Sequence, residues 1–246
     1  MDFTRQNEVA EVMASVQPDI IVHSGALSKP DECEQDKEQA YNTNVSATGY
    51  LLAEAARWES FFVFLSTDFV FSGEEGMYSE DDPLAPVNYY GQTKVEAEAM
   101  VKEYSFDWSI VRTVLVYGHS QGGRDNILTM VANNLEEGKH LKIFDDQVRT
   151  PTYVEDLAQG LKTIIDKRAT GIYHISGEDV RTPYQMAIEV AEYLNLDKSL
   201  IEKVTEQTFQ QPARRPLKTG FNLSKAKREL FYIPTPFAEG LKKTFQ

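Results

Sequence analysis

Tyr90 and Lys94 stand four residues apart in NYYGQTKVEAEAMV, a spacing that puts both side chains on one face of a helix, within reach of each other. A phenol titrates near pH ~10, so exchanging a proton near neutrality calls for an adjacent cation, and the lysine supplies it. A bare Tyr-x-x-x-Lys pair is common and carries little information alone. Here it follows, by roughly twenty residues, a buried-type strand that runs into Ser66, Thr67 and Asp68 in FFVFLSTDFVFSG. Hydroxyls at the carboxyl end of such a strand face the crevice where ligands sit, so Thr67 is placed to hold a carbonyl oxygen, with Asp68 beside it. Ser66 and Thr67 could equally close an ST-turn, the ordinary use of these residues after a strand. Taken together, a proton donor, a cation and a carbonyl-holding hydroxyl describe chemistry on a ketone or its alcohol.

The elements that must position these residues alternate. Short apolar runs at Asp19 to His23, Phe61 to Leu65, Trp108 to Arg112, Leu141 to Phe144 and Gly171 to Ile175 read as strands. Helical periods fall near Arg5 to Val16, Asp36 to Trp58, Asn88 to Tyr104, Asn126 to Glu137, Val154 to Asp166 and Pro183 to Leu194. The first three strands are continuously apolar, as in a sheet covered by helices on both sides, and the expected class is α/β with a doubly wound parallel sheet. GHSQGGRDN and QQPARRPLKTG read as turn-rich or basic loops. With 246 residues, one large domain plus a small companion is expected. Lys+Arg 25 against Asp+Glu 38 leaves a net charge of −13, which repels nucleic acid and anionic membrane surfaces. A single cysteine, Cys33, excludes an internal disulfide and a Cys-rich metal cluster, and its acidic surroundings should raise its thiol pKa. With no membrane-length apolar run and a polar start, the expectation is a cytoplasmic protein that binds no metal. The acidic run Asp31, Glu32, Glu34, Asp36, Glu38 reads as a solvated helix start, and His23 and His174 as satisfied strand residues.

Several blocks resemble the dTDP-4-dehydrorhamnose reductases, a branch of the extended short-chain dehydrogenases. They are STDFVFSG at Ser66 to Gly73, YSEDDPLAPVNYYGQTK at Tyr78 to Lys94, VRTVLVYG at Val111 to Gly118, DDQVRTPTYVEDLAQG at Asp145 to Gly160, and RRPLKTGFNLSKAK at Arg214 to Lys227. The resemblance spans the chain. It implies an NADPH- or NADH-dependent reductase acting on a ketone of a nucleotide-linked sugar. Tyr90 would be the general acid, Lys94 would lower its pKa and hold the nicotinamide ribose, and Thr67 would bond the carbonyl oxygen. Asn44, in NTNVSAT, would support the lysine. Ser24, Gly25 and Ala26 match the small-residue turn against the cofactor, and Asp2 and Phe3 the pair flanking the adenine. Asp68, Leu115 and Arg215 are the implied substrate contacts, Arg215 toward the anionic part.

MDFT resembles a point after the family's third strand, which implies a Rossmann sheet truncated at its N-terminus, without the glycine-rich phosphate loop, and an exposed edge on the Ile20 to His23 strand. Leu115 stands where the family has a tryptophan, Phe69 where it has a tyrosine and Ser72 where it has an aspartate. The expected division is a nucleotide-binding domain of 1–117 with about 148–170, and a substrate lobe of 118–147 with 171–246. A homodimer is compatible with this reading. Two rival readings are a non-catalytic regulatory subunit resembling the β subunit of methionine adenosyltransferase, and an epimerase or dehydratase of the same superfamily.

Overall fold

The computed structural model describes residues 1–119 and 125–246. Its elements, in chain order, are α1 (Gln6–Val16), β1 (Ile20–His23), α2 (Pro30–Gln35), α3 (Lys37–Tyr41), a π-helical turn (Asn42–Ser46) running into α4 (Ala47–Arg57), β2 (Phe61–Thr67), α5 (Tyr89–Lys102), β3 (Trp108–Thr113), β4 (Val116–Tyr117), α6 (Ile127–Glu136), β5 (Leu141–Phe144), β6 (Thr152–Tyr153), α7 (Val154–Lys167), β7 (Gly171–His174), α8 (Pro183–Leu194), β8 (Ile201–Val204), α9 (Ser224–Leu230) and α10 (Phe237–Thr244).

Strands β1, β2, β3 and β7 form a parallel sheet in that order, with Phe62 opposite Trp108 and Thr67 opposite Thr113. Because side chains alternate across a strand, the unbroken FFVFL run supplies both faces. Phe62, Phe64 and Ile110 pack with Val9, Leu51, Ala97 and Val101 of α1, α4 and α5. Phe61, Val63 and Val111 pack with Leu157 and Ile164 of α7 and Ala226 and Leu230 of α9. Each fully buried phenylalanine contributes about 1.5–3 kcal/mol of apolar burial, so β2 is the sheet's anchor. The β1 strand is an edge of this sheet, with Val22 43% exposed.

A second core lies beyond the sheet. There β5 and β8 pair in parallel, and Ile143 and Ile201 pack with Leu128, Val131, Met186, Val190 and Phe237 of α6, α8 and α10. Leu115 touches both cores from the β3–β4 junction, with a positive φ of 31°.

The helix read over Asp36 to Trp58 is present from Lys37 to Arg57: Asp36 caps its start by accepting from the Gln39 amide at 2.9 Å, and the π turn re-registers it partway along. Two expectations need correction. Strand β7, assigned from sequence to the smaller lobe, pairs with β3 in the main sheet, Ile110 opposite Ile172, and α9 packs on that sheet as well. The acidic run is not only a solvated face: Asp31 pairs with Arg215, and Glu34 accepts from the Tyr89 amide at 2.8 Å. Strand β8 and helices α9 and α10 were not anticipated. The loop read as GHSQGGRDN falls largely on 120–124, outside the described residues. Among the described residues no helix is long and apolar enough to cross a membrane.

Candidate functional site

Beyond the carboxyl ends of β1, β2 and β3 lies a cleft of about 770 Å³ between the two cores. Ser24, Ala26, Thr67, Asp68, Tyr90, Lys94, Leu115 and Arg215 all line it. Residues from five separate stretches of sequence are thus brought together where an open parallel sheet places its ligands.

Helix α5 carries the central pair. Asn88 starts it, its side-chain oxygen accepting from the Gly91 amide at 2.9 Å. Gly91 is required there, since a Cβ would collide with the Phe69 carbonyl and lie 2.8 Å from Pro86. One turn on, Lys94 is 2% exposed and donates to the Leu65 carbonyl at 2.8 Å, with the Phe64 ring 3.9 Å beneath its ammonium. One of its three donors is thereby used. Burial pulls its pKa down to about 7, against the upward pull of the Glu98 carboxylate one turn further along. Tyr90 lies on the same face, its ring edge-on to Phe69 at 5.9 Å and packed beside Cys33 and Ala40.

At the end of β2, Thr67 Oγ1 donates to Asp68 at 3.1 Å and accepts from the Phe69 amide at 3.3 Å, so both the ST-turn role and the cleft position hold. Ser66, by contrast, spends its hydroxyl on Glu98 at 2.6 Å. Asp68 is buried: Thr219 donates to it, Arg149 Nε lies 3.9 Å away, and burial nevertheless pushes its carboxyl up. Its oxygens therefore hold the C-terminal loop as well as facing the cleft.

The remaining sequence-derived residues sit around this centre. Asn44 lies in the π turn, where it accepts from the Leu27 amide at 2.8 Å and donates to the Leu27 carbonyl and to Thr93 at 3.0 and 2.9 Å. It braces α5 through Thr93 and does not touch Lys94 directly. Gly25 is covered by Phe3: a Cβ would meet that ring at 2.7 Å, and the ring stands edge-on to His23 at 5.6 Å. Asp2 is exposed and accepts from the Thr4 amide and hydroxyl at 3.0 and 2.7 Å at the start of α1. His23 is pushed down to about 3 by burial and Lys94, and it lies 3.0 Å from the Thr48 hydroxyl, a satisfied neutral imidazole. Burial, then Glu32 and Glu34, raise the Cys33 thiol to about 11.

Sequence reading missed the buried ion pair behind the pair on α5. Arg112 donates to both oxygens of Glu98, Nε at 2.9 Å and Nη2 at 2.7 Å. It also missed Arg149, which holds the 216–217 carbonyls, and the aromatic far wall of Phe144 and Phe209. A buried arginine in VRT and a glutamate in VEAEA were visible at strand and helix positions, but pairing across 14 residues is a tertiary fact.

The chain matches the RmlD substrate binding domain family over residues 1–246, and it belongs to that family. The dTDP-4-dehydrorhamnose reductase of Bacillus anthracis, solved in complex with NADP, superposes with a TM-score of 0.92 at 28% identity over 100% of this chain and 86% of its own. Methionine adenosyltransferase 2 subunit beta of Pongo abelii is 31% identical over 244 residues, 97% of this chain and 73% of that protein. The spore coat polysaccharide biosynthesis protein SpsK of Bacillus subtilis is 34% identical over 208 residues, 84% and 72% of the two chains. By sequence and fold the chain is a dTDP-4-dehydrorhamnose reductase-like protein, in the oxidoreductase class of Rossmann-type extended short-chain dehydrogenases.

Proposed function

We propose that the chain is a cytoplasmic enzyme that reduces a keto group on a nucleotide-linked sugar with NADPH or NADH, and that Tyr90 donates the proton. The observation that carries this is Lys94: an ammonium buried in an apolar wall, held by one carbonyl, one helical turn from a tyrosine that lines the same cleft. A buried cation without a directly bonded carboxylate is electrostatically costly, and such a group lining a cleft is the mark of a functional site.

The residues present fit the nicotinamide riboside half of a dinucleotide. Ser24 and Ala26 leave room at the end of β1, and Lys94 retains two N–H donors for ribose hydroxyls. Asp2 and Phe3, at the β1 edge, are the proposed adenine flank. A reduced nicotinamide held there by Lys94 and the Ser24–Ala26 turn would be the source of hydride for the carbonyl carbon. The substrate oxygen meanwhile sits against Thr67, whose hydroxyl fixes it and opposes its growing negative charge. Tyr90 breaks its O–H bond and gives that proton to the oxygen, so that C=O becomes CH–OH. Lys94 beside it stabilises the phenolate left behind until solvent returns the proton. Leu115 and Arg215 complete the substrate wall, the arginine toward the anionic part, and the second core holds the rest of the substrate.

The 31% identity to methionine adenosyltransferase 2 subunit beta over nearly the whole chain favours a second reading, a regulatory subunit on the same fold. One assay separates them. The oxidoreductase reading expects NADPH oxidation that depends on added dTDP-4-dehydrorhamnose. Tight NADPH binding with no sugar-dependent oxidation would favour the regulatory reading.

A further inference from the structure

Arg215 enters the wall of the cleft on a loop that is fixed from two sides. The Asp31 carboxylate, at the start of α2, accepts from the Ala213 amide at 2.9 Å and from both terminal nitrogens of Arg215, Nη1 at 2.5 Å and Nη2 at 2.8 Å. From the other side, Asn88 donates to the Arg214 carbonyl at 2.7 Å while its oxygen caps α5. The loop and the helix that carries Tyr90 are therefore held in one register.

A guanidinium has five N–H donors in one plane. Nη1 spends its two hydrogens on Asp31 and on the Ala213 carbonyl, and Nη2 spends one on Asp31. The two that remain, one on Nε and one on Nη2, lie on the neighbouring edge and run parallel, the fork that takes two oxygens of a phosphate. Arg215 lines the cleft with its side chain only 13% exposed, so this edge is the part of the group left to a ligand. Released from Asp31, the side chain would keep only its single bond to the Ala213 carbonyl and could pivot about it, so the edge would lose its fixed orientation.

Building on the nucleotide-sugar reading above, we infer that Asp31 is a positioning residue: it sets Arg215 so that the Nε edge grips the diphosphate of the substrate in register with Tyr90. Asp31 does not itself touch the substrate. Its carboxylate decides which face of the arginine the diphosphate meets, and the same carboxylate fixes the backbone on which the arginine rides.

The test needs no turnover. Calorimetric titration of the wild-type chain with dTDP and with thymidine should show tighter binding of dTDP. Asp31→Asn should weaken dTDP about tenfold, the loss of one well-aligned charge-assisted contact, and leave thymidine unchanged. Arg215→Lys keeps the charge but lacks the fork and should fall by a similar factor, while Asp31→Glu should recover part of the affinity. Equal weakening of dTDP and thymidine in Asp31→Asn would show that the pair only staples the loop, and unchanged dTDP binding would show that Arg215 does not read the diphosphate. Either result overturns the inference, as does a wild-type chain that binds no dTDP. A chain that shows the expected binding pattern but reduces no keto sugar would leave the inference standing and remove the oxidoreductase reading.

Discussion

Two cations, Lys94 on α5 and Arg112 on β3, are buried, and the protein treats them oppositely. Arg112 is 1% exposed and gripped by both oxygens of Glu98, with further bonds to the Glu80 carbonyl and, at 3.4 Å, to His174. Lys94, one turn before Glu98 on α5, receives one backbone carbonyl and an aromatic face. Arg112 has four of its five N–H donors bonded and is structural, while Lys94 has one of its three bonded at the edge of a cleft. A charge that the fold does not fully neutralise marks where a ligand is expected to do so.

The largest effect should come from removing the unsatisfied cation. Lys94→Met should lower turnover of the keto sugar by about 10²- to 10⁴-fold, the range for disabling acid–base chemistry, as read in steady-state kinetics. The same change should not destabilise the fold at pH 7. The sign follows from titration: Lys94 is held at about 7 in the fold and returns to 10.5 unfolded. Between those values the unfolded chain binds the extra proton, so stability rises with pH from about 7 to 10.5 in the wild type. Urea unfolding at pH 7, 8 and 9 should show this rise in the wild type relative to Lys94→Met, and parallel pH dependences would contradict it.

Next in size is the satisfied pair. Glu98→Gln strands a buried Arg112 and should cost about 3–5 kcal/mol in denaturant unfolding. Replacing both, Glu98→Leu with Arg112→Met, should restore most of that loss, which separates a structural pair from a catalytic one. Gly91→Ala should cost about 1–3 kcal/mol, as the added carbon presses α5 away from the Phe69–Val70 turn. The smallest effect belongs to the surface: Asp2→Ala, removing an exposed carboxylate bonded to Thr4, should leave the thermal unfolding midpoint indistinguishable from that of the wild type.

The contrast also shows what could be read from sequence. The FFVFL strand and the Tyr90–Lys94 spacing were legible because they are local: alternation and helical period are printed in consecutive residues. Strand β7 was assigned to the wrong lobe because GIYH is short and its partner lies about sixty residues earlier, at Ile110. The π turn was invisible, since NTNVSAT carries an unbroken helical pattern and only packing of Asn44 against Leu27 and Thr93 shows the inserted residue. Asp31 looked like one more solvated acid, because its partner Arg215 stands 184 residues away.

The central claim is that Tyr90 is the proton donor, and Tyr90→Phe tests it most directly, since the ring stays and only the transferable proton goes. With NADPH binding measured alongside, the expected result is near-normal cofactor affinity and a fall of about 10²- to 10⁴-fold in turnover of dTDP-4-dehydrorhamnose. Turnover at the wild-type rate in the Phe variant would contradict the account.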